Sequence, residues 1–377
     1  MSYLSVFLVR LGAPNWLVGL YTSLPALVSI LVVLPMGAFV QRQANLIRTV
    51  NGARLVFRAV IGAFALLPFL PTNVAPYVLV GARSLLSIPG AAINVAQTTI
   101  LGSATTPERR PRMLSMRWAL SGLASAGVGF IAGQWLDKVS YPLNYQVLFL
   151  SAFLAGIGSV LNLRRLRLPD RQIKSGPRPK VGLGQMIALI RGAPEFRRFA
   201  IAAFVFRMGM YLPMALYAIY RVRVLGSSDA WIGILLTVER LLSMISYILL
   251  GRLTARPAFR RRLWIACVGI SLYPLTTALA VTPEMLLIPS AMLGIFGPGM
   301  NIFLTNTLFQ VSPEDERPSF VAANSFLANV TAFASPLLGT FLADLVGIRL
   351  ALVVAFVLRF AGGFSFVALK PGKESHS

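Results

Sequence analysis

The chain has 377 residues, 56% of them hydrophobic and 12% charged, and a mean hydropathy of +0.73. Those values exclude an ordinary water-soluble enzyme, and they exclude disorder, because a segment that stays unfolded is poor in apolar residues. Thirty-five Lys and Arg against twelve Asp and Glu give a net charge of +23, so the position of those charges decides between a nucleic-acid partner and a membrane topology.

A helix needs about 20 predominantly apolar residues to cross a bilayer. A short apolar stub at residues 3–9 is followed by eleven runs of that kind, at 16–40, 53–70, 76–101, 113–136, 145–163, 198–219, 231–250, 263–281, 285–308, 320–343 and 350–369. The stub reads as the latter part of a first helix. It lacks the basic region and cleavage site of a signal peptide, and a start within the first helix is expected. Gly and Pro interrupt two runs, at Ile88-Pro89-Gly90 and Phe296-Gly297-Pro298-Gly299, where kinks are expected because neighbouring helices re-satisfy freed backbone groups. Trp16, Trp135, Tyr145 and Trp231 stand near run ends and read as belt aromatics.

The cations fall in alternate turns. Arg42, Arg48 and Arg54 follow the run at 16–40, and Arg109, Arg110, Arg112 and Arg117 precede Trp118. Ten more lie between Leu163 and Phe199, five crowd the turn from Arg252 to Arg262, and Arg317, Lys370 and Lys373 complete the set. The opposite turns hold Lys138, Arg221, Arg223 and Arg349. This asymmetry predicts a multi-pass protein of the cell (inner) membrane with the basic turns and C-terminus cytoplasmic, and no nucleic-acid partner. The basic stretch at 164–197 suits a solvated orienting loop, with contact to anionic membrane lipids as the alternative. Cys267 and His376 are the only residues of their types. No disulfide, metal site, cofactor site or His-based triad is expected, and therefore no enzyme.

One constant shift superposes Gly90 on Gly297, Asn94 on Asn301, Thr98 on Thr305, Leu101 on Leu308, Pro111 on Pro318 and Asp137 on Asp344. Trp16-Leu17-Val18-Gly19 likewise pairs with Trp231-Ile232-Gly233. The expected fold is an all-α membrane protein of two six-helix halves in a parallel repeat, with about eleven complete transmembrane helices and a partial first one. The halves are expected at 1–163 and 198–369, joined by the linker at 164–197 and followed by a tail at 370–377.

The turns after the second helix of each half read Gly37-Ala38-Phe39-Val40-Gln41-Arg42 and Gly251-Arg252-Leu253-Thr254-Ala255-Arg256. Together with the parallel halves and the basic central loop, they resemble the major facilitator superfamily over essentially the whole chain. The family's turn carries an acid where Gln41 stands, so the Gly and Arg positions carry over. The resemblance implies a secondary transporter that works by alternating access, with Gly37, Arg42, Gly251 and Arg252 as gating turns. The Gly-rich fifth helix, Ser121 to Gly133, is similar to the motif of the family's antiporters without its proline. Small residues at that spacing also suit any close helix crossing.

A charge near the bilayer centre is costly, so each one needs a partner, water or a function. The candidates are Arg10, Arg58, Arg83, Arg207, Glu239, Arg240 and Arg359. By family analogy Arg58 and Arg359 lie away from the cavity and are structural or snorkelling. Arg207 shares a helical face with Tyr211 and suits an anionic or polar ligand, with neutralisation by Glu239 as the alternative. Glu239 is the candidate proton carrier or one member of a permanent ion pair, and Arg240 points about 100° away from it. Arg83, Asn94 and Thr98, and by repeat Asn301 and Thr305, either line the cavity or satisfy kinked backbone. Asp137 and Asp344 read as solvated caps. The expected partners are a small-molecule substrate, protons or another coupling ion, and lipids; a monomer is expected. The substrate tilts toward an anionic or amphiphilic solute, with multidrug-type efflux through a Met- and Phe-rich wall (Phe204, Phe206, Met208, Met210, Tyr211, Met214) as the alternative.

Overall fold

Apolar runs this long can satisfy their backbone groups in lipid by forming helices, and among the described residues they do so. The computed structural model describes residues 2–41, 43, 45–104, 110–165, 191–253, 263–313 and 316–368. Arg42, the side chain of Thr98, most of the linker and the 370–377 tail lie outside the described residues. No strand occurs among the described residues.

Before the linker stand α1 (Ser2–Arg10), α2 (Asn15–Gln41), α3 (Leu46–Ala63), α4 (Ala75–Leu85), α5 (Ser87–Ala104), α6 (Arg110–Lys138) and α7 (Leu143–Arg164). After it come α8 (Pro194–Tyr211), α9 (Met214–Ile219), α10 (Asp229–Leu253), α11 (Trp264–Leu279), α12 (Leu287–Gln310), α13 (Arg317–Val346) and α14 (Ile348–Ala368). Among the described residues nine helical segments are long and apolar enough to cross a membrane, and Trp264–Leu279 is a shorter apolar helix. The 29-residue α6 is diluted by Gly, Ala and Ser, yet is long enough to cross.

The ends follow local chemistry. Asn45 caps α3, its side-chain oxygen accepting from the Arg48 amide at 2.9 Å, as an N-cap should. Arg48 and Arg54 therefore lie on α3 and not in a turn, because this cap starts the helix well before the apolar run. Gly347, at φ 88°, ends α13 and turns the chain into α14, a conformation that disfavours any side chain.

The expected kinks move. The break in the run at 76–101 falls at Leu86, and Pro89 sits in the first turn of α5, where its missing N–H is harmless. Pro298 lies inside the continuous α12. The run at 198–219 instead breaks at Leu212-Pro213, since Pro213 cannot donate to the turn before it, and a π-turn follows at Tyr220–Val224.

The helices before the linker pack mainly as α2 on α4 and α5 and α3 on α5 and α7, and those after it as α14 on α8 and α11 and α12 on α10 and α11. Two long crossings join the sets, α6 on α10 and α2 on α13. The core they enclose contains Phe7, Phe149, Phe196, Phe199, Phe206 and Phe366. Large apolar side chains such as Leu31, Phe69, Ile131, Leu154 and Phe341 remain exposed, as a lipid-facing surface requires. Tyr145 is no belt aromatic: it is 2% exposed and packs 4.3 Å from the Phe7 ring, because α1 covers it.

Candidate functional site

Several of the cations and polar residues singled out by sequence fall into two layers. The first is formed by residues of α8, α10, α12 and α13, with Asn301 and Thr305 exposed on α12. Arg207, on α8, donates through Nη1 to Asn324 Oδ1 of α13 at 2.8 Å. Glu239 does not neutralise it. Instead Glu239 Oε1 lies 3.4 Å from Arg240 Nη2, and the Arg240 side chain is 46% exposed against 14% for Glu239. Adjacent helical positions diverge, but the long arginine stem reaches back along α10 to its neighbour. Asn324 was missed because a lone Asn in an apolar run carries no signal of what it faces.

The polar pair on α12 is partly self-satisfied. Thr305 Oγ1 donates to the Asn301 carbonyl at 2.9 Å, and Asn301 Nδ2 contacts Tyr247 Oη of α10 at 3.5 Å. Asn94 is exposed on α5. Arg83, at the end of α4, lies over the Tyr21 ring at 6.0 Å, with its Nε buried and lacking a partner among the described residues. Gly251 and Arg252 are exposed in the last turn of α10, and Gly37 is in α2. Phe206 is 0% exposed, turned toward Phe366 and Arg359, so it forms no part of a cavity wall.

The second layer joins the two sets of helices at the face that carries Lys138, Arg221, Arg223 and Arg349. Arg10 meets Asp229 Oδ1, through Nη2 at 3.1 Å and Nε at 3.2 Å, and donates to the Ser227 carbonyl at 3.1 Å. Asp137 Oδ1 accepts from the Asp229 backbone amide at 3.1 Å. Asp344 Oδ1 accepts from Asn15 Nδ2 at 2.6 Å, while Arg223 donates to Asn15 Oδ1 at 2.7 Å and to the Ala13 carbonyl. Asp137 and Asp344 are exposed, as solvated caps would be, and each also accepts a hydrogen bond across the sets. Each terminates one helix and holds the N-terminal residue of a facing one, where a carboxylate also meets the favourable end of the helix dipole.

Below these contacts the helices close tightly. A Cβ on Gly133 would come within 2.7 Å of the Asp229 carbonyl and of Tyr3 Oη, and within 3.0 Å of Gly233 Cα. Thr237 Oγ1 donates to the Ala126 carbonyl at 3.1 Å, and a Cβ on Gly19 would meet Thr340 Oγ1 at 2.7 Å. Among the described residues, the hydrogen bonds between the sets set out above lie toward the face that carries Lys138, Arg221, Arg223 and Arg349. Among the described residues no group of His, Cys, Asp and Glu could hold a metal ion.

This architecture can be compared with known proteins. The sequence profile of the Major Facilitator Superfamily matches residues 1–284. The chain belongs to that superfamily. No curated protein matches it by sequence. Among solved structures, a bacterial homologue of the human lysosomal transporter Spinster, inward-facing and unoccupied, is 15% identical at a TM-score of 0.62, with 99% of this chain and 96% of that one covered. A peptide transporter, POT, in complex with sulfate is 14% identical at a TM-score of 0.73, covering 98% and 91%. The nucleoside transporter NupG is 13% identical at a TM-score of 0.67, covering 98% and 94%. The superfamily member described here is accordingly a multi-pass membrane protein and a transporter, not an enzyme.

Proposed function

We propose that this transporter moves a small anionic or amphiphilic solute by alternating access, with Arg207 as the anchor for the solute's negative group and Glu239 as the proton carrier. The supporting observation is the partnership of Arg207: its contact is the neutral Asn324 at 2.8 Å, which leaves the guanidinium charge to be met by a ligand. A bidentate fork of this kind suits carboxylate and phosphate oxygens. Among the described residues Glu239 is held by a 3.4 Å contact to a half-exposed Arg240, a pairing loose enough to be remade as a proton comes and goes. The two sets of helices would rock about this layer, and the basic turns would face the cytoplasm.

Proteoliposome uptake tests this reading. Organic anions should be taken up in a pH-gradient-dependent manner, and Arg207→Gln should lower uptake by about tenfold or more, the loss expected for one charge-assisted hydrogen bond. Glu239→Gln should abolish gradient-driven uptake while sparing exchange of solute across the membrane. Uptake of lipophilic cations that depends on Glu239 and not on Arg207 would replace this reading with multidrug-type efflux.

A further inference from the structure

Between α3, α6 and α7, three guanidinium groups gather with no acid beside them. Arg54 and Arg58 stand one turn apart and half-buried on α3, and Arg117 stands exposed on α6. Counted from the starts of their helices, Arg54 and Arg117 lie about 10–12 Å inside the end of the bundle that carries the linker, at a rise of 1.5 Å per residue, and Arg58 lies deeper. Arg54 Nη1 reaches Ser159 Oγ of α7 at 3.4 Å. The Arg58 stem lies across Gly156 of α7, where any Cβ would overlap it. Arg58 and Arg117 are both close enough to Arg54 to repel its charge. Among the described residues no carboxylate pairs with any of the three. The sequence through Arg165 holds two acids: Glu108, outside the described residues, and Asp137, at the far end of α6.

These cations stand at the mouth of a cleft. At its closed end Trp135 Nε1 of α6 donates to the Asn144 carbonyl of α7 at 3.1 Å. Arg117, Ala124, Val128 and Ile131 share the helical face of Trp135, and Ser151, Ala155 and Ser159 share that of Asn144. Faces aligned in this way would cover each other if the helices ran side by side, yet each of these residues is exposed. Instead α6 packs along α10 and α7 along α3, so the two helices diverge from the Trp135–Asn144 junction. Val128 and Ile131 give the cleft one apolar wall, and the small residues of α7 give it the other. A charge at this depth needs a partner, and guanidinium forks suit phosphate oxygens.

We propose that this cleft holds one anionic phospholipid, its phosphate between Arg54 and Arg117 and within reach of Arg58, and an acyl chain running along Val128 and Ile131 toward Trp135. Charge complementarity selects this occupant over a zwitterionic lipid, whose ammonium group would meet the same three cations. Depth selects a lipid over a free phosphate ion, because the cations lie inside the apolar spans. The lipid bridges α6 to the α3–α7 pair. The site is separate from the Arg207 and Glu239 layer.

The test uses the full chain in detergent, with dioleoylphosphatidylglycerol as the probe and dioleoylphosphatidylcholine and glycerophosphate as controls. Phosphatidylglycerol should raise the melting temperature saturably, and the controls should not. Arg54→Gln and Arg117→Gln should each weaken its apparent affinity about fivefold or more, the loss expected for one cation beside an anionic headgroup, and Arg207→Gln not at all. Arg117 is exposed, so its variant keeps the test valid if Arg54→Gln folds poorly. Ala124→Cys, in a Cys267→Ala background, should react with N-ethylmaleimide in the lipid-free protein and be protected by saturating phosphatidylglycerol. The proposal is overturned by the absence of a saturable shift or by unchanged affinity in both arginine variants. Equal stabilisation by phosphatidylcholine, which marks a general lipid coat, or by glycerophosphate, which marks a free-anion site, also overturns it. So does an Ala124→Cys thiol that is unreactive without lipid, which places protein in the cleft, or one that stays reactive with it. None of these outcomes bears on anion uptake, which is read separately.

Discussion

Arg359 lies near the middle of α14 with 3% of its surface exposed, its Nη2 3.9 Å from the Met300 sulfur and its guanidinium 5.5 Å from the Phe206 ring centroid. Among the described residues its Nε has no partner and no carboxylate pairs with it. Burying a cation with such weak company is costly. Arg359→Met, which keeps the stem and removes the charge, is therefore expected to raise stability by about 1–4 kcal/mol, the range seen when buried ionic groups give way to apolar ones. The readout is the thermal midpoint of purified protein; a fall of several degrees would show that the charge is needed where it sits. Hydropathy located Arg10, Arg83, Arg207 and Arg359 equally well, because each interrupts an apolar run. It could not tell their partners apart, since Asn324, Tyr21, Asp229 and Phe206 come from other helices. Glu239 and Arg240 show the same limit, as side-chain length overrides the angle between neighbouring helical positions.

The crossing of α6 on α10 rests on the absence of side chains. Gly133 faces Gly233, and Tyr3 Oη donates to the Gly129 carbonyl at 2.7 Å. Gly127, on the same helix, has no atom within 4 Å of where a Cβ would stand. Gly133→Val should thus push the helices apart at a cost of about 1–3 kcal/mol, the usual penalty for overpacking. Gly127→Ala should leave stability unchanged or slightly improved, because alanine is the better helix former. Paired thermal unfolding of the two variants checks this, and equal effects would mean the crossing is not tight. The run of small residues was legible in the sequence as a close-packing surface, and the structure shows which glycines use it. The apolar spans were legible for a similar reason, since lipid leaves a long apolar run only one backbone solution. Their interruptions were not: whether Pro89, Pro213 or Pro298 breaks a helix depends on the first-turn position and on neighbouring contacts. The misplacement of Tyr145 has the same origin, as nothing within its own run reveals that α1 lies over it.

At the scale of the whole molecule, the repeat visible in the sequence becomes a matched pair of fastenings. Asp137 at the end of α6 holds the start of α10, and its repeat counterpart Asp344 near the end of α13 holds the start of α2. Each bond joins helices from opposite sides of the linker, so both must break if the sets are to part at this face. A charge-assisted hydrogen bond contributes about 1.5–3 kcal/mol, and less where water reaches it. Losing two exposed ones together should then weaken this closure by about 2–4 kcal/mol, a roughly 30- to 1,000-fold shift toward the parted arrangement. Thr340 reports on that shift, because it is 1% exposed beneath the Asn15–Asp344 contact and would touch any side chain at Gly19. A cysteine replacing Thr340, in a Cys267→Ala background, should be shielded from a membrane-impermeant maleimide. Adding Asp137→Ala and Asp344→Ala should speed its labelling at least tenfold, and either substitution alone should give an intermediate rate. If the double variant labels no faster than the parent, the fastenings do not govern the opening of this face, and the packed glycine crossings beneath them hold it shut unaided.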